Sequence, residues 1–446
     1  MADRGDPRAD FLGAASWHGD LKRAEAILAA HPELAARDIH TAAVLGDAAA
    51  VRGFLERDPA NATAKSEPFG ADPLVYLCLS KYLRLDPSRT PGFLTAAAAL
   101  LDAGADPNSG FWNKGEFETA LYGAAGVAHH AAMTRLLLER GADPTDVEAV
   151  YHSPETWDAG NDAMKLLVET GRLSDADLAL MLIRKHDFHD YDGAKWLLEH
   201  GADPNHQRQR GWLAIHHALA RDNSLEMIAL LLEHGADPTL RKEGMTAVAK
   251  AAREGRSDVL ELFERRGIPI ELTGVDRLIA ACAMADPAAV RAIAEREPQL
   301  VGELRAMGGE LLAKFAGTDN PAGVRQLLDL GVDVAAPFTE GDGYHGHPKN
   351  SLAIHVAAWR ARPAVVKLLL ERGSPADLPD PQGRTPLTLA VRACVDSYWT
   401  ERCSLESVRM LLGAGATTEG VPFPSGHAGI DDLLSAHHST RTERTQ

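Results

Sequence analysis

Residues 228–252 read IALLLEHGADPTLRKEGMTAVAKAA: an apolar run, a stop at Gly-Ala-Asp-Pro, then a restart on small residues. Leu230, Leu231 and Leu232 are neighbours on a helix that must be covered on more than one side, as happens when helices stack in layers. Gly235 supplies the left-handed residue that ends a helix, and Pro238 stops it from resuming. Near copies of the first half recur as AALLDAGADPN, RLLLERGADPT, KWLLEHGADPN and KLLLERGSPAD.

With the glycine as a register mark, the repeat runs through Gly104, Gly141, Gly171, Gly201, Gly235, Gly267, Gly331, Gly373 and Gly415. Glu297 takes the place once, and His31 and Asp58 take it in two earlier copies. That makes about twelve units over nearly the whole chain, at intervals of 30 to 42 residues from Gly104 onward. Ahead of each Leu-rich run comes a Thr, or a substitute, then an aliphatic residue and alanines, as in EGMTAVAKAA and QGRTPLTLAV. The alanines let neighbouring helices approach closely.

The pattern resembles the ankyrin repeat family, matched best at Thr385-Pro386-Leu387 and Gly201-Ala202-Asp203-Pro204. The resemblance implies an all-α solenoid of stacked antiparallel helix pairs with short projecting hairpins and a concave binding face. It spans roughly residues 10–420. The expected organisation is a flexible start at 1–9, one elongated solenoid domain over 10–436 and a flexible polar tail at 437–446. Where the interval is 30 residues, near Gly141, Gly171 and Glu297, there is no room for a hairpin, so helix should follow helix almost directly. The 42-residue intervals carry insertions. FTEGDGYHGHPKN at 338–350 should lie in a projecting hairpin, and CVDSYWTERCS at 394–404 between the two helices of a unit.

Bulk properties suit a non-enzymatic scaffold. The chain of 446 residues has no apolar run near the ~18 residues needed to cross a membrane, and its charged start has no signal-like segment. Four cysteines, Cys78, Cys282, Cys394 and Cys403, lack metal-ligand spacing and are few for so long a chain, which leads us to expect reduced thiols and a cytoplasmic protein. A net charge of −17 argues against nucleic acid or an anionic membrane and suits a basic protein partner, or simply solubility.

The histidines invite chemistry. His40, His216 and His355 occupy the position of the family's Thr-Pro-Leu-His histidine, which the resemblance makes a structural hydrogen-bonder. His186, Asp187, His189, Asp190 and Asp192 are potential metal ligands in one short connection, but they match no closed zinc pattern and a polar loop needs such residues anyway. No nucleophile elbow, phosphate loop or His-Glu-x-x-His occurs, so no catalytic residue, cofactor or metal is assigned.

Aromatic residues make up only 6% of the chain, so those placed on hairpins stand out. Phe111 and Trp112, Trp212 after Gly211, and Tyr344 with His345 and His347 are therefore the expected partner-binding residues. Trp17 and Trp359, which follow first-helix alanines, are expected to be covered instead. The reading is a protein-interaction scaffold. The alternatives are an inhibitor or immunity-type protein masking a basic toxin or enzyme, and a metal- or small-molecule-dependent enzyme with a site assembled in the groove.

Overall fold

In the computed structural model, residues 6–155, 160–207 and 212–444 are described, with 439–444 described by backbone alone. The chain divides into two compact units, residues 1–217 with 233–236, and residues 218–232 with 237–446.

Each unit is built of helix pairs. In the first unit Pro7–Ala15 precedes Leu21–Ala30, Ile39–Leu45 precedes Ala48–Arg57, and Asp175–Asp187 precedes Tyr191–Glu199. In the second, Ala247–Arg253 precedes Ser257–Arg265, Ala353–Trp359 precedes Pro363–Glu371, and Pro386–Val395 precedes Leu405–Gly413. Every register position found in the sequence follows the second helix of such a pair. The register glycines all have positive φ, Gly235 at +85°, as a left-handed stop demands.

The recurring positions of the repeat have visible jobs. Thr119, Thr246 and Thr385 cap their first helices, each side chain accepting from the backbone N–H three residues on. Asp72, Asp146 and Ser174 do the same where threonine is missing. In Gly-Ala-Asp-Pro, Asp106, Asp203 and Asp237 accept from the N–H two residues ahead and so close the turn. Asn108 and Asn205 then donate to the carbonyls of Gly141 and Gly235, tying one repeat to the next.

Small first helices pack on first helices and leucine-rich second helices on second helices. In the second unit 353–359 lies between 308–317 and 386–395, with Ala353, Ala357, Ala358, Ala313 and Ala316 all buried. The turn between the helices of a pair has a left-handed residue that no single residue type marks. It is Gly46 or Gly255 in some repeats, but His129, Asp222, Ala285, Asp319 or Ala361 in others.

The short intervals behave as expected. Helix Asp175–Asp187 starts four residues after Gly171, and Pro298–Ala306 follows Glu297 at once. Among the described residues the one sheet is the antiparallel hairpin Gly110–Asn113 with Glu116–Thr119. Among the described residues, helices lie near both ends. Asp6 caps the first helix and Pro7 opens it, and Ile430 and Leu434, one turn apart and buried, anchor a final helix Ala428–Arg444.

Candidate functional site: the hairpin face and the insertion

In the first unit the hairpin turns through Lys114 and Gly115, both left-handed, which matches the twist of a two-residue turn. Trp112 pairs across the strands with Phe117, their rings 5.1 Å apart. Trp112 is 73% exposed and Phe117 38%. Phe111 points the other way because successive strand residues alternate. It is only 6% exposed, edge-on to Trp17 at 5.4 Å and stacked on Phe69 at 5.1 Å. Phe111 is thus a core residue, which corrects its assignment as a partner contact. Beside the hairpin lies a groove of about 530 Å³ lined by Phe69, Trp112, Phe117, Asp106 and Lys65.

Trp212 is half-buried, stacked on His217 with ring centres 5.7 Å apart. Gly211, the hairpin glycine before it, lies outside the described residues. His217 also meets Asp187 at 2.8 Å, and Asp187 accepts from Arg184 at 2.8 Å. Asp190 takes the buried ammonium of Lys185 at 2.8 Å, the amide of Asn161 and the backbone N–H of Gly193. Asp187 and Asp190 therefore serve basic groups and a helix cap.

In the second unit the 338–350 insertion forms a hairpin closed by bridges Phe338–Ser351 and Asp342–His347. It does not simply project. His345 and His347 are buried, which corrects their assignment as partner contacts. Asp342 accepts from the His345 ring at 2.6 Å, and Trp359 Nε1 donates to the His345 carbonyl at 2.7 Å. Tyr344 stays partly exposed, with the Arg221 guanidinium 4.1 Å from its ring centre.

Beneath the insertion sits a small cavity of about 30 Å³ lined by Asp222, Glu254, Lys314, Asp342, His347 and Arg360. Burial, helped by the Arg360 charge, pushes His347 down to about 3. Burial works against ionising Asp342, but the hydrogen bond and charge of His345 outweigh it and bring that carboxyl to about 2. Asp222 receives Arg256 at 3.2 Å, Arg360 at 2.6 Å and Arg362 at 3.3 Å, while Glu254 receives Lys250 at 2.7 Å and Lys314 at 3.0 Å. Each of these carboxylates is occupied by a basic partner, which makes this a network that holds turns together. No group of three or more His, Cys, Asp or Glu among the described residues is arranged to hold a metal.

Two other readings meet the structure directly. His355 accepts from the Leu352 N–H at 2.9 Å and donates through Nε2 to the Leu378 carbonyl at 2.8 Å, the structural role the repeat implies. His40 reaches the Ala64 carbonyl at 2.8 Å. Trp359 is buried as expected. The cysteines differ from expectation: Cys394 and Cys403 form a disulfide, and only Cys78 and Cys282 are free, both buried.

Stacked helix pairs with a capped, histidine-bridged first helix and a glycine-stopped second define a helical repeat protein. Two family profiles match: ankyrin repeats (3 copies) over residues 180–273 and ankyrin repeats (many copies) over residues 319–390. Residues 180–273 and 319–390 are thus ankyrin repeats, and the other helix pairs follow the same plan. Ankyrin repeats are in general protein-interaction modules, and families built of them are typically non-enzymatic. A search of curated proteins finds no match. No helix among the described residues is long and apolar enough to cross a membrane.

Proposed function

We propose that the chain is a non-enzymatic cytoplasmic scaffold that captures a partner protein on the face carrying its hairpins and first-helix ends, the concave face in this family. The observation that carries the reading is Trp112: a large aromatic, 73% exposed, on a rigid two-residue-turn hairpin beside an open groove. A ring held out by a defined backbone costs little entropy to bury, and such residues dominate interface energetics. Phe117 widens the same patch, and Trp212 and Tyr344 are proposed as further contacts. The acidic net charge favours a basic partner and fast, salt-sensitive association.

The test is capture from native lysate on immobilised chain, identification of the retained protein by mass spectrometry, then titration of that protein. Trp112→Ala should weaken binding roughly thirtyfold, equivalent to about 2 kcal/mol, with an unchanged melting curve. Added salt should slow association. A folded Trp112→Ala chain that binds as tightly as the parent overturns the hairpin face as the docking surface.

A further inference from the structure

The segment between the helices Pro386–Val395 and Leu405–Gly413 has almost no core of its own. Val395 and Tyr398 are exposed, Tyr398 completely, and Asp396, Thr400, Glu401 and Arg402 face solvent. Two things hold it. One is the Cys394–Cys403 disulfide, which closes a loop nine residues apart in sequence. The other is Trp399, turned inward: its Nε1 donates to the Trp359 carbonyl at 2.7 Å, its ring meets that of Trp359 edge-on at 5.3 Å, and the Arg360 guanidinium lies 5.2 Å from it.

Trp399 thereby reaches the other insertion. Its ring is 6.2 Å from that of His345, whose carbonyl is the acceptor for Trp359 Nε1. The two insertions, far apart in sequence, meet over Trp359, directly beside the charged cavity that His347 and Arg360 line. A loop with so few apolar contacts opens readily once its cross-link is cut, because closing it in the unfolded chain was the disulfide's contribution.

We propose that the Cys394–Cys403 disulfide is a redox-sensitive strap: it clamps Trp399 onto Trp359 and His345, and low-molecular-weight thiols release it and loosen the 338–350 hairpin. Cys403 is the half-exposed sulfur and Cys394 the buried one. An incoming thiolate therefore attacks Cys403 Sγ, the S–S bond breaks, and its electron pair leaves on Cys394, which takes up a proton. A second thiolate attacks the external sulfur of the mixed disulfide and frees Cys403. Two thiols are oxidised to one disulfide as the protein's disulfide is reduced to two thiols. Cys78 and Cys282 take no part, since both are buried and burial raises their thiols well above the ordinary range.

The full chain, purified without reductant, is exposed to millimolar reduced glutathione and then alkylated under native conditions. Peptide mass spectrometry should find Cys394 and Cys403 labelled after glutathione and unlabelled before, with Cys78 and Cys282 protected throughout. Hydrogen exchange in residues 343–347 and 395–402 should quicken on the order of tenfold and return to its starting rate on reoxidation with glutathione disulfide. Trp399→Ala should quicken exchange at 343–347 with the disulfide intact. Free thiols at both positions after treatment with glutathione disulfide would overturn the strap. So would exchange at 343–347 that ignores both reduction and Trp399→Ala.

Discussion

The turn between the two helices of a pair poses one steric problem and solves it with different residues. At Gly255, φ is +73° and a Cβ would lie 2.5 Å from the Phe315 ring. Gly255→Ala therefore combines left-handed strain with a clash against a buried ring, and should cost about 3 kcal/mol. Ala285 adopts the same backbone, φ 52°, in a half-exposed setting. Ala285→Gly removes the strain but loosens the unfolded chain, a net gain of about 0.5–1 kcal/mol. Urea unfolding of the two variants checks both signs. An Ala285→Gly chain less stable than the parent would show that the methyl contributes more by packing than the backbone loses by strain.

Between elements, one tie in the second unit is ionic and shared by three guanidinium groups. Asp222 follows the helix Ala214–Ala220, yet it collects guanidinium groups from the turns after 247–253 and after 353–359, so it ties its repeat both to the next one and to one far along the chain. Arg256 and Arg360 are almost fully buried there, and Arg256 is also gripped by both oxygens of Asp258. Removing the shared anion leaves buried cations facing one another, a loss of about 3 kcal/mol or more. Asn tolerates the left-handed backbone of Asp222, so Asp222→Asn isolates the charge from the turn geometry. Urea titration followed by circular dichroism measures it, and a loss below about 1 kcal/mol would mean that solvent already screens the network.

Across the whole molecule, acid is the expected weakness, because both units bury histidines in neutral form. Burial holds His129 in the first unit down to about 4 and His347 in the second down to about 3. Once unfolded, both take up protons near 6.5. Below that pH the unfolded chain binds more protons than the folded one, so stability is full above about 6.5 and falls as pH drops toward 4. Each histidine should cost on the order of 1–2 kcal/mol by pH 5. Asp342, whose carboxyl is held at about 2, adds its own loss only between about pH 4 and 2. Thermal midpoints that stay flat between pH 7 and pH 5 would contradict this, as would restored acid stability failing to appear in His129→Phe.

How far the sequence reached follows from the range of the forces involved. The helix stops at the register glycines, the threonine caps, the Asp-Pro turns and the bridging histidines are all set by residues within a few positions of one another, so repetition made them legible. The left-handed turns at Asp222, Ala285 and Ala361 were local too, but no residue type marks them once glycine is absent. Side-chain direction was harder. Phe111 and Trp112 are adjacent hairpin aromatics, and only the strand's alternation, with Trp17 and Phe69 waiting on one side, buries the first and exposes the second. The insertion histidines were hidden for a different reason. Asp342 lies only three residues from His345, but Trp359 and Trp399 cover the ring only when the insertions at 338–350 and 394–404 fold against one repeat, a meeting of segments some fifty residues apart that no periodicity encodes. The sequence by itself determined the repeat and the register, because short-range sterics and hydrogen bonding decide them. The tertiary structure alone decided which polar groups are buried and which aromatic faces water, because those depend on packing between distant parts of the chain.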